Sequence, residues 1–411
     1  MKTIQEELDY CLNCRNKPCM AKCPLNNDIP GFIQLMKQND YEAAYKLLTQ
    51  TTPLGNLCSI VCPTKKQCQS KCTRSFRGDP VGINRLEQEL TNKVKGDFTK
   101  ENNVSGKVAI VGGGPAGLTC AWILAKNGVD VTIYEKYDYL GGLLVHGIPE
   151  FRLPKDKVKE SIDRILKLGI KVEYNKVLGK DITTEQLKKE YDYVFIGVGA
   201  NNSTKQHLEG EDLPGVFGAN ETLEYKTFVD YKGKTVVVSG GGNVAMDISR
   251  TVKRMGAEKV VVVYRRSRNE MPAEQLEIDE AMEDGVEFNF QTNILKINGT
   301  DKVESIECIK TELVQKEGET RLSPVNIEGS NFTMPIDYIY MAIGSAPDKA
   351  VIDDVNVELD WKKLKIDEFG QTSDPQVFAG GDITNTTGTV AWAARSGRNA
   401  AYKIMDLLKT K

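Results

Sequence analysis

Eight of the ten cysteines in this 411-residue chain lie between Cys11 and Cys72, in two ordered runs. The first is Cys11-x2-Cys14-x4-Cys19-x3-Cys23-Pro24; the second is Cys58-x3-Cys62-Pro63-x5-Cys68-x3-Cys72. So many thiols in so short a stretch must either pair as disulfides or gather around metal. Disulfides suit small secreted domains rather than an enzyme-sized chain in a reducing compartment. Structural zinc usually repeats a compact four-ligand unit, and only Cys11/Cys14 has the Cys-x2-Cys spacing common there. Thiolate runs ending in Cys-Pro hold iron–sulfur clusters, and the two Cys-Pro steps and the total count fit that reading best. The x4 gap between Cys14 and Cys19 departs from the bacterial ferredoxin run. One cysteine of a run often serves the other cluster, so order along the chain leaves the ligand sets open.

The chain is too long for one hydrophobic core, and two or three domains are expected. Net charge is −3, so no basic field invites nucleic acid. No apolar run approaches the roughly 20 residues a membrane helix needs. The start, Lys2-Thr3-Ile4-Gln5-Glu6-Glu7, is acidic where a signal peptide would be apolar. A cytoplasmic setting is expected, where thiols stay reduced. His146 and His207 are the only histidines, a poor basis for a His triad or His-rich metal site.

Between the cysteine runs, Asp28 can cap a helix with Pro30 in its first turn. Tyr41–Leu48 reads as a second, amphipathic helix. A small helical domain would bring the two runs together.

Further on, Val108–Val111 reads as a buried strand. Gly112-Gly113-Gly114-Pro115-Ala116-Gly117 then opens a helix, and Asp130–Tyr134 is a second strand ending at Glu135. Strand, glycine loop, helix and acid at this spacing form a dinucleotide-binding unit. Gly112 makes the turn, Gly114 admits the pyrophosphate, and Gly117 lets helix pack on strand. Pro115 and Ala116 complete the loop, and Glu135 should bind a ribose hydroxyl. The unit recurs at Thr235–Ser239 followed by Gly240-Gly241-Gly242-Asn243-Val244-Ala245, with Ala245 replacing the third glycine. Its second strand, Lys259–Tyr264, ends at Arg265-Arg266-Ser267-Arg268. Guanidinium groups there can bind a 2′-phosphate that an acid would repel, so NADPH is expected rather than NADH.

Two such units suggest a flavoprotein with a pyridine nucleotide donor. Tyr338–Gly344 and Val377–Asp382 read as strands ending in glycine turns, and Thr389-Val390-Ala391 opens a helix. Asp382 is placed to hold a flavin ribityl hydroxyl, and the start of the Thr389 helix to stabilise anionic reduced flavin. A dithiol reductase of thioredoxin-reductase type needs a redox Cys-x-x-Cys. Beyond Cys72 there are only Cys120 and Cys308, in unlike contexts.

The chain resembles, throughout its length, the small (β) subunit of glutamate synthase. It also resembles the N-terminal region of dihydropyrimidine dehydrogenase and the large subunit of NADH-dependent reduced ferredoxin:NADP oxidoreductase. The likeness rests on the Cys11–Cys23 run, Leu54-Gly55-Asn56-Leu57-Cys58-Ser59-Ile60-Val61-Cys62-Pro63 and Cys68-x3-Cys72. It continues through Gly147-Ile148-Pro149-Glu150-Phe151-Arg152-Leu153-Pro154, Tyr264-Arg265-Arg266 with Met271-Pro272-Ala273, and Ala379-Gly380-Gly381-Asp382.

The resemblance implies two 4Fe–4S clusters, one FAD and one nicotinamide site. By carry-over, Cys11, Cys14, Cys19 and Cys72 hold one cluster. Cys23, Cys62 and Cys68 hold the other, with Glu87 as a non-cysteine fourth ligand where some relatives carry glutamine. Cys58 then becomes a neighbour, although order along the chain alone would favour it. Gly141, Gly142, Leu143, Gly147, Arg152, Gly199, Gly381, Asp382, Thr389 and Val390 are implied at the FAD. Gly240, Gly242, Asn243, Val244, Ala245, Arg265 and Arg266 are implied at NADPH.

The expected fold is multidomain: an α-helical iron–sulfur domain over 1–105, then two nested α/β Rossmann-like domains. The FAD domain takes 106–231 and 336–411, and the NADPH domain takes 232–335. The expected function is electron input, with NADPH oxidised at FAD and the clusters passing electrons to a partner catalytic subunit or a ferredoxin-type acceptor. Alternatives are the NADH-using FAD subunit of dihydropyrimidine dehydrogenase and a subunit of a bifurcating ferredoxin:NADP oxidoreductase. A zinc-bound docking module on a flavoprotein is the non-enzyme alternative.

Overall fold

The cysteine-rich segment folds into short helices: Ile4–Tyr10, Pro18–Lys22, Ile29–Lys37, Tyr41–Leu48, Gly55–Val61 and Ile83–Lys93. The computed structural model describes residues 2–316, 318 and 321–410. The expected Asp28 cap is present, and the structure adds one at Asp40. Asp28 Oδ1 accepts the Gly31 N–H at 3.0 Å, with Pro30 in the first turn, and Asp40 accepts the Ala43 N–H at 3.0 Å. Each cap satisfies an N–H that the helix start leaves without a partner, an effect of about 1 kcal/mol. The apolar faces of these helices (Phe32, Ile33, Met36, Ala44, Leu48, Leu86 and Leu90) close over one core that also holds Cys68 and Cys72. Burial of those side chains is what a loop-rich segment needs to hold thiols at fixed places.

Two parallel sheets of the same design follow. In the first the order is Val377–Ala379, Tyr193–Ile196, Lys107–Val111, Asp130–Tyr134, Lys171–Glu173. In the second it is Val216–Gly218, Tyr338–Met341, Thr235–Ser239, Lys259–Tyr264, Glu287–Phe290. The strands are runs of Val and Ile because both faces are covered. Val108, Ala109 and Ile110, like Val236, Val237 and Val238, have no exposed surface. In each sheet the chain leaves the central strand, builds outward on one side, then returns to the other. The carboxyl end of that central strand is therefore the switch point at which α/β sheets bind ligands. Both glycine loops stand there. An antiparallel meander, Thr292–Gly299 and Val303–Val314 with Ser323–Asn326 and Phe332–Pro335, joins the second sheet's region.

The chain divides into two compact units. One comprises residues 1–145, 150–200 and 347–411; the other comprises 146–149 and 201–346. The second unit starts well before 232 because Val216–Gly218 pairs with Tyr338–Met341, and Asn202–Ser203 with Ser345–Ala346. The cysteine-rich segment is bonded into the first sheet's unit. Asn56 Nδ2 donates to Ser161 Oγ at 2.7 Å, and Arg164 donates to the Tyr45 hydroxyl and the Gly96 carbonyl. Arg164 also lies over the Phe98 ring, which meets Trp122 edge to face. Among the described residues no helix is long and apolar enough to cross a membrane.

Candidate functional site

At the first loop, Gly112 has φ +97°, and a Cβ there would lie 2.6 Å from the Gly197 carbonyl oxygen. A Cβ on Gly117 would lie 1.9 Å from the Gly112 oxygen, so only glycine lets the helix approach the strand this closely. Pro115 and Ala116 form the first turn of helix Pro115–Lys126, whose N-cap is Gly114 and which has no side-chain cap. Its first N–H groups thus remain available to an anion such as a pyrophosphate. Gly142 faces Gly114, and a Cβ on Gly142 would come within 3.1 Å of the Gly114 Cα. Leu143 follows in a short 3-10 turn with Gly141 before it. Glu135 is buried at the end of its strand. Its Oε2 accepts the Gly113 N–H at 2.7 Å and its Oε1 the Tyr137 N–H at 3.1 Å. Burial raises its pKa. The carboxylate therefore braces the loop as well as standing where a ribose hydroxyl is expected.

The C-terminal strand delivers Gly381 and Asp382 to the same place. Gly381, with φ +75°, packs against Ala116 and donates its N–H to Ser396 Oγ at 2.8 Å. Burial raises the Asp382 pKa, with Lys363 opposing. Thr389 caps the C-terminal helix, Val390–Lys409, accepting the Trp392 N–H. A Cβ on Gly397 would lie 2.0 Å from the Ala116 carbonyl oxygen, so this helix lies directly on the glycine-loop helix. Gly199 (φ +78°) ends the segment after Tyr193–Ile196, and Arg152 is half-buried in this unit. Gly147 falls in the short 146–149 piece that belongs to the second unit.

The second loop repeats the plan. A Cβ on Gly240, at φ +138°, would lie 2.2 Å from the Ala342 carbonyl oxygen, whereas a Cβ on Gly242 would meet nothing within 4 Å. Helix Asn243–Arg254 again lacks a side-chain cap at its start. Asn243 Oδ1 is already engaged, accepting the Glu274 N–H at 3.1 Å. Ala245 is fully buried, and Val244 packs against that core. Arg266 stands beside Tyr264, with its Nε and Nη1 buried and without hydrogen-bond partners. Arg265 is exposed. Arg268 is instead committed to Asp279. Leaving buried guanidinium N–H groups unpaired costs energy, and a 2′-phosphate would satisfy them.

The eight expected cluster ligands fall into two groups. Cys11, Cys14, Cys19 and Cys72 line one cavity together with Leu12, Pro18, Thr73 and Arg74. Cys14 Sγ and Thr73 Oγ1 are 3.2 Å apart. Burial raises the Cys11 thiol and pushes Cys19 up to about 11. Cys23, Cys62, Cys68 and Glu87 form the inner group, each cysteine acted on electrostatically by Glu87. Burial pushes Cys23 up to about 11 and the Glu87 carboxyl up to about 8. A hydrogen bond with Cys58, then burial, holds the Cys62 thiol high. A carboxylate and several thiols buried together are costly unless a cation neutralises them, which iron would do. Among the described residues no three such side chains gather as the ligands of a single metal ion. Cys58, 5% exposed, touches both Cys62 and the C-terminal helix. Cys120 and Cys308 are fully buried in different units.

What the sequence reading missed is how the inner group is seated. Leu25, Cys58, Ala391 and Ala394 form one buried cluster, with Cys23, Cys62 and Val390 packed on it. Gln67, next to Cys68, reaches Thr389 Oγ1 at 3.5 Å. The available signal was the row of small residues Ala391, Ala394 and Gly397 at helical spacing.

A family model described as "Dihydropyrimidine dehydrogenase domain II, 4Fe-4S cluster" matches residues 1–97, and one described as "Pyridine nucleotide-disulphide oxidoreductase" matches 106–397. The NADPH glutamate synthase small chain of Escherichia coli (strain K12) is 35% identical over 98% of this chain and 91% of its own length. AegA of the same organism is 37% identical over 99% of this chain, which spans 66% of that relative. FprA of Mycobacterium tuberculosis, solved in complex with NADPH, has a TM-score of 0.67 at 20% identity, covering 74% of this chain and 85% of its own, and shows the shared fold.

Proposed function

The chain belongs to the glutamate synthase small-chain-like family of NAD(P)H-dependent FAD oxidoreductases with an N-terminal 4Fe–4S domain, and we propose that within it this protein oxidises NADPH and exports the electrons singly to a partner catalytic subunit. The observation that carries this reading is the seating of the inner thiols on Val390, Ala391 and Ala394. The same helix begins beside Asp382 and lies on the first glycine-loop helix, so one rigid element serves both the flavin end and the thiols.

When bound, FAD supplies the conversion of a two-electron hydride donor to one-electron transfers, and iron–sulfur clusters supply the onward path. The chain's own residues bind and orient. Gly112, Gly114 and Gly117 admit a pyrophosphate to the uncapped helix start, and Glu135 fixes the loop and a ribose. Asp382 and the Thr389 cap stand at the ribityl and ring end. Gly240, Gly242 and the second uncapped helix take the nicotinamide nucleotide, with Arg266, aided by Arg265, on its 2′-phosphate. Cys11, Cys14, Cys19 and Cys72 hold one 4Fe–4S cluster, and Cys23, Cys62, Cys68 and Glu87 hold the second. No side chain need move a proton in the hydride step, which suits a chain with two histidines.

The relative from E. coli is the small chain of a larger enzyme, which supports a partner subunit here. The segments 11–27 and 62–77 contain eight Lys and Arg and no Asp or Glu, so the thiol-bearing face suits an acidic acceptor surface. A cytoplasmic setting, where thiols stay reduced, belongs to the same reading.

The test is anaerobic titration of purified protein with NADPH, and separately NADH, following flavin and iron–sulfur absorbance after iron, sulfide and zinc have been measured. Preferential bleaching by NADPH in protein holding flavin, iron and sulfide supports the proposal. Zinc without sulfide would replace it with a docking module. Equal or better bleaching by NADH would overturn the donor.

A further inference from the structure

The C-terminal helix sends two arginines to the chain immediately after Cys23. Arg395 Nη1 donates to the Pro24 carbonyl at 3.3 Å, and Arg398 Nη1 donates to the Leu25 carbonyl at 2.6 Å. A neutral donor could make either bond without bringing a charge out of water. Arg395 lies over the Trp392 ring at 4.9 Å, which occupies part of its guanidinium. Arg398 has no carboxylate partner among the described residues. The charged or titratable groups that act on it are Tyr402, Arg395 and Cys23. Burial lowers its pKa, yet a guanidinium remains charged in proteins. A half-buried cation is screened less than a surface one, so its field reaches its neighbours. Cys23, a member of the inner set, stands two residues before the Leu25 carbonyl that Arg398 holds, and as a cluster ligand it would be a thiolate.

We propose that Arg398 is a positioning residue for the inner cluster. It fixes the Cys23-Pro24-Leu25 turn to the helix that serves the flavin end, and its positive charge raises the inner cluster's reduction potential while leaving the outer one alone. The proposal rests on the reading that residues 1–97 hold two clusters. Cluster potentials follow net charge and hydrogen bonding, so an added positive charge stabilises the reduced, more negative state. A higher inner potential favours that cluster as the first stop for electrons leaving the flavin end.

The test is an anaerobic redox titration of the whole protein followed by electron paramagnetic resonance. Two cluster signals in the wild type establish the underlying reading, and their absence sinks that reading and this inference together. The signal altered by Glu87→Gln is the inner one. In Arg398→Gln its midpoint should fall while the other signal stays, and Arg398→Lys should restore it. Tyr402→Glu, at a 45% exposed position, offsets the charge from the surface without touching the packing. It should lower the same midpoint by less, and it serves if Arg398→Gln loses iron. An inner midpoint unmoved in Tyr402→Glu and Arg398→Gln, or both midpoints falling together, would overturn the charge role.

Discussion

Cys11, Cys14, Cys19 and Cys72 line a cavity edged by half-exposed Leu12 and by Thr73, whereas Cys23, Cys62, Cys68 and Glu87 are closed in by helix Ile83–Lys93 and by the C-terminal helix. The two sets use similar chemistry in opposite surroundings. The outer group has solvent and a cation-rich sequence around it. The inner group has Leu25, Ala391 and Ala394, and its fourth member is a buried carboxyl whose pKa burial raises. A one-electron relay between a flavin and a partner needs this asymmetry. One end must be shielded and rigidly tied to the donor, and the other must be reachable.

The sharpest way to break that distinction is to remove one thiol from each group. Cys62→Ser should lose the inner cluster's iron and abolish transfer from NADPH to a protein acceptor, while flavin bleaching by NADPH persists. It should also lower the thermal midpoint, because Cys62 packs on the C-terminal helix. Cys11→Ser should lose the outer iron only and leave the inner resonance signal. Iron analysis and thermal melting check both. Equal iron loss and equal destabilisation would mean that the groups form one cooperative site.

Replacement of Glu87 comes next in size. Glu87→Ala removes a ligand and opens space in a closed site, and iron content should drop toward that of Cys62→Ser. Glu87→Gln keeps an oxygen at the same reach, so both clusters should remain with one altered signal. If Glu87→Ala retains full iron with an unchanged signal, Cys58, already hydrogen-bonded to Cys62, is the fourth ligand instead.

Smaller still is Ala394→Leu. The face is built from alanine at 0–1% exposure against Cys58 and Leu25. Added methylene groups should cost about 1–3 kcal/mol in a denaturant titration and slow flavin-to-cluster transfer. A change without effect on either would show that the helix is only loosely seated.

Much of this was legible in the sequence, and the reasons differ by region. Both glycine loops, their flanking strands and the Asp28 helix start depend on local residues, and local residues are what a sequence displays. The start of the second unit was not legible. Val216–Gly218 is a three-residue strand whose place is set by a partner more than a hundred residues on, Tyr338–Met341. The seating of the inner thiols was hidden for another reason. Ala391, Ala394 and Gly397 read as ordinary helix packing until the structure gives them different partners, cysteines for the first two and the Ala116 carbonyl for the third. Arg398 carried no signal at all, since a charged residue on a C-terminal helix usually faces water.

The smallest expected change tests the outer end by itself. Phe76 follows Cys72 in the turn Thr73–Phe76 and is 87% exposed, so it holds nothing in the fold together. Phe76→Ser should leave stability within about 0.5 kcal/mol of wild type, as surface substitutions do. Large exposed aromatics are the residues on which protein partners anchor. If the outer group is the exit, the same variant should slow reduction of a protein acceptor and leave reduction of ferricyanide, which needs no docking, unchanged. Equal rates with both acceptors would place the exit elsewhere, and the contrast between a tethered inner group and a reachable outer one would then concern packing rather than electron flow.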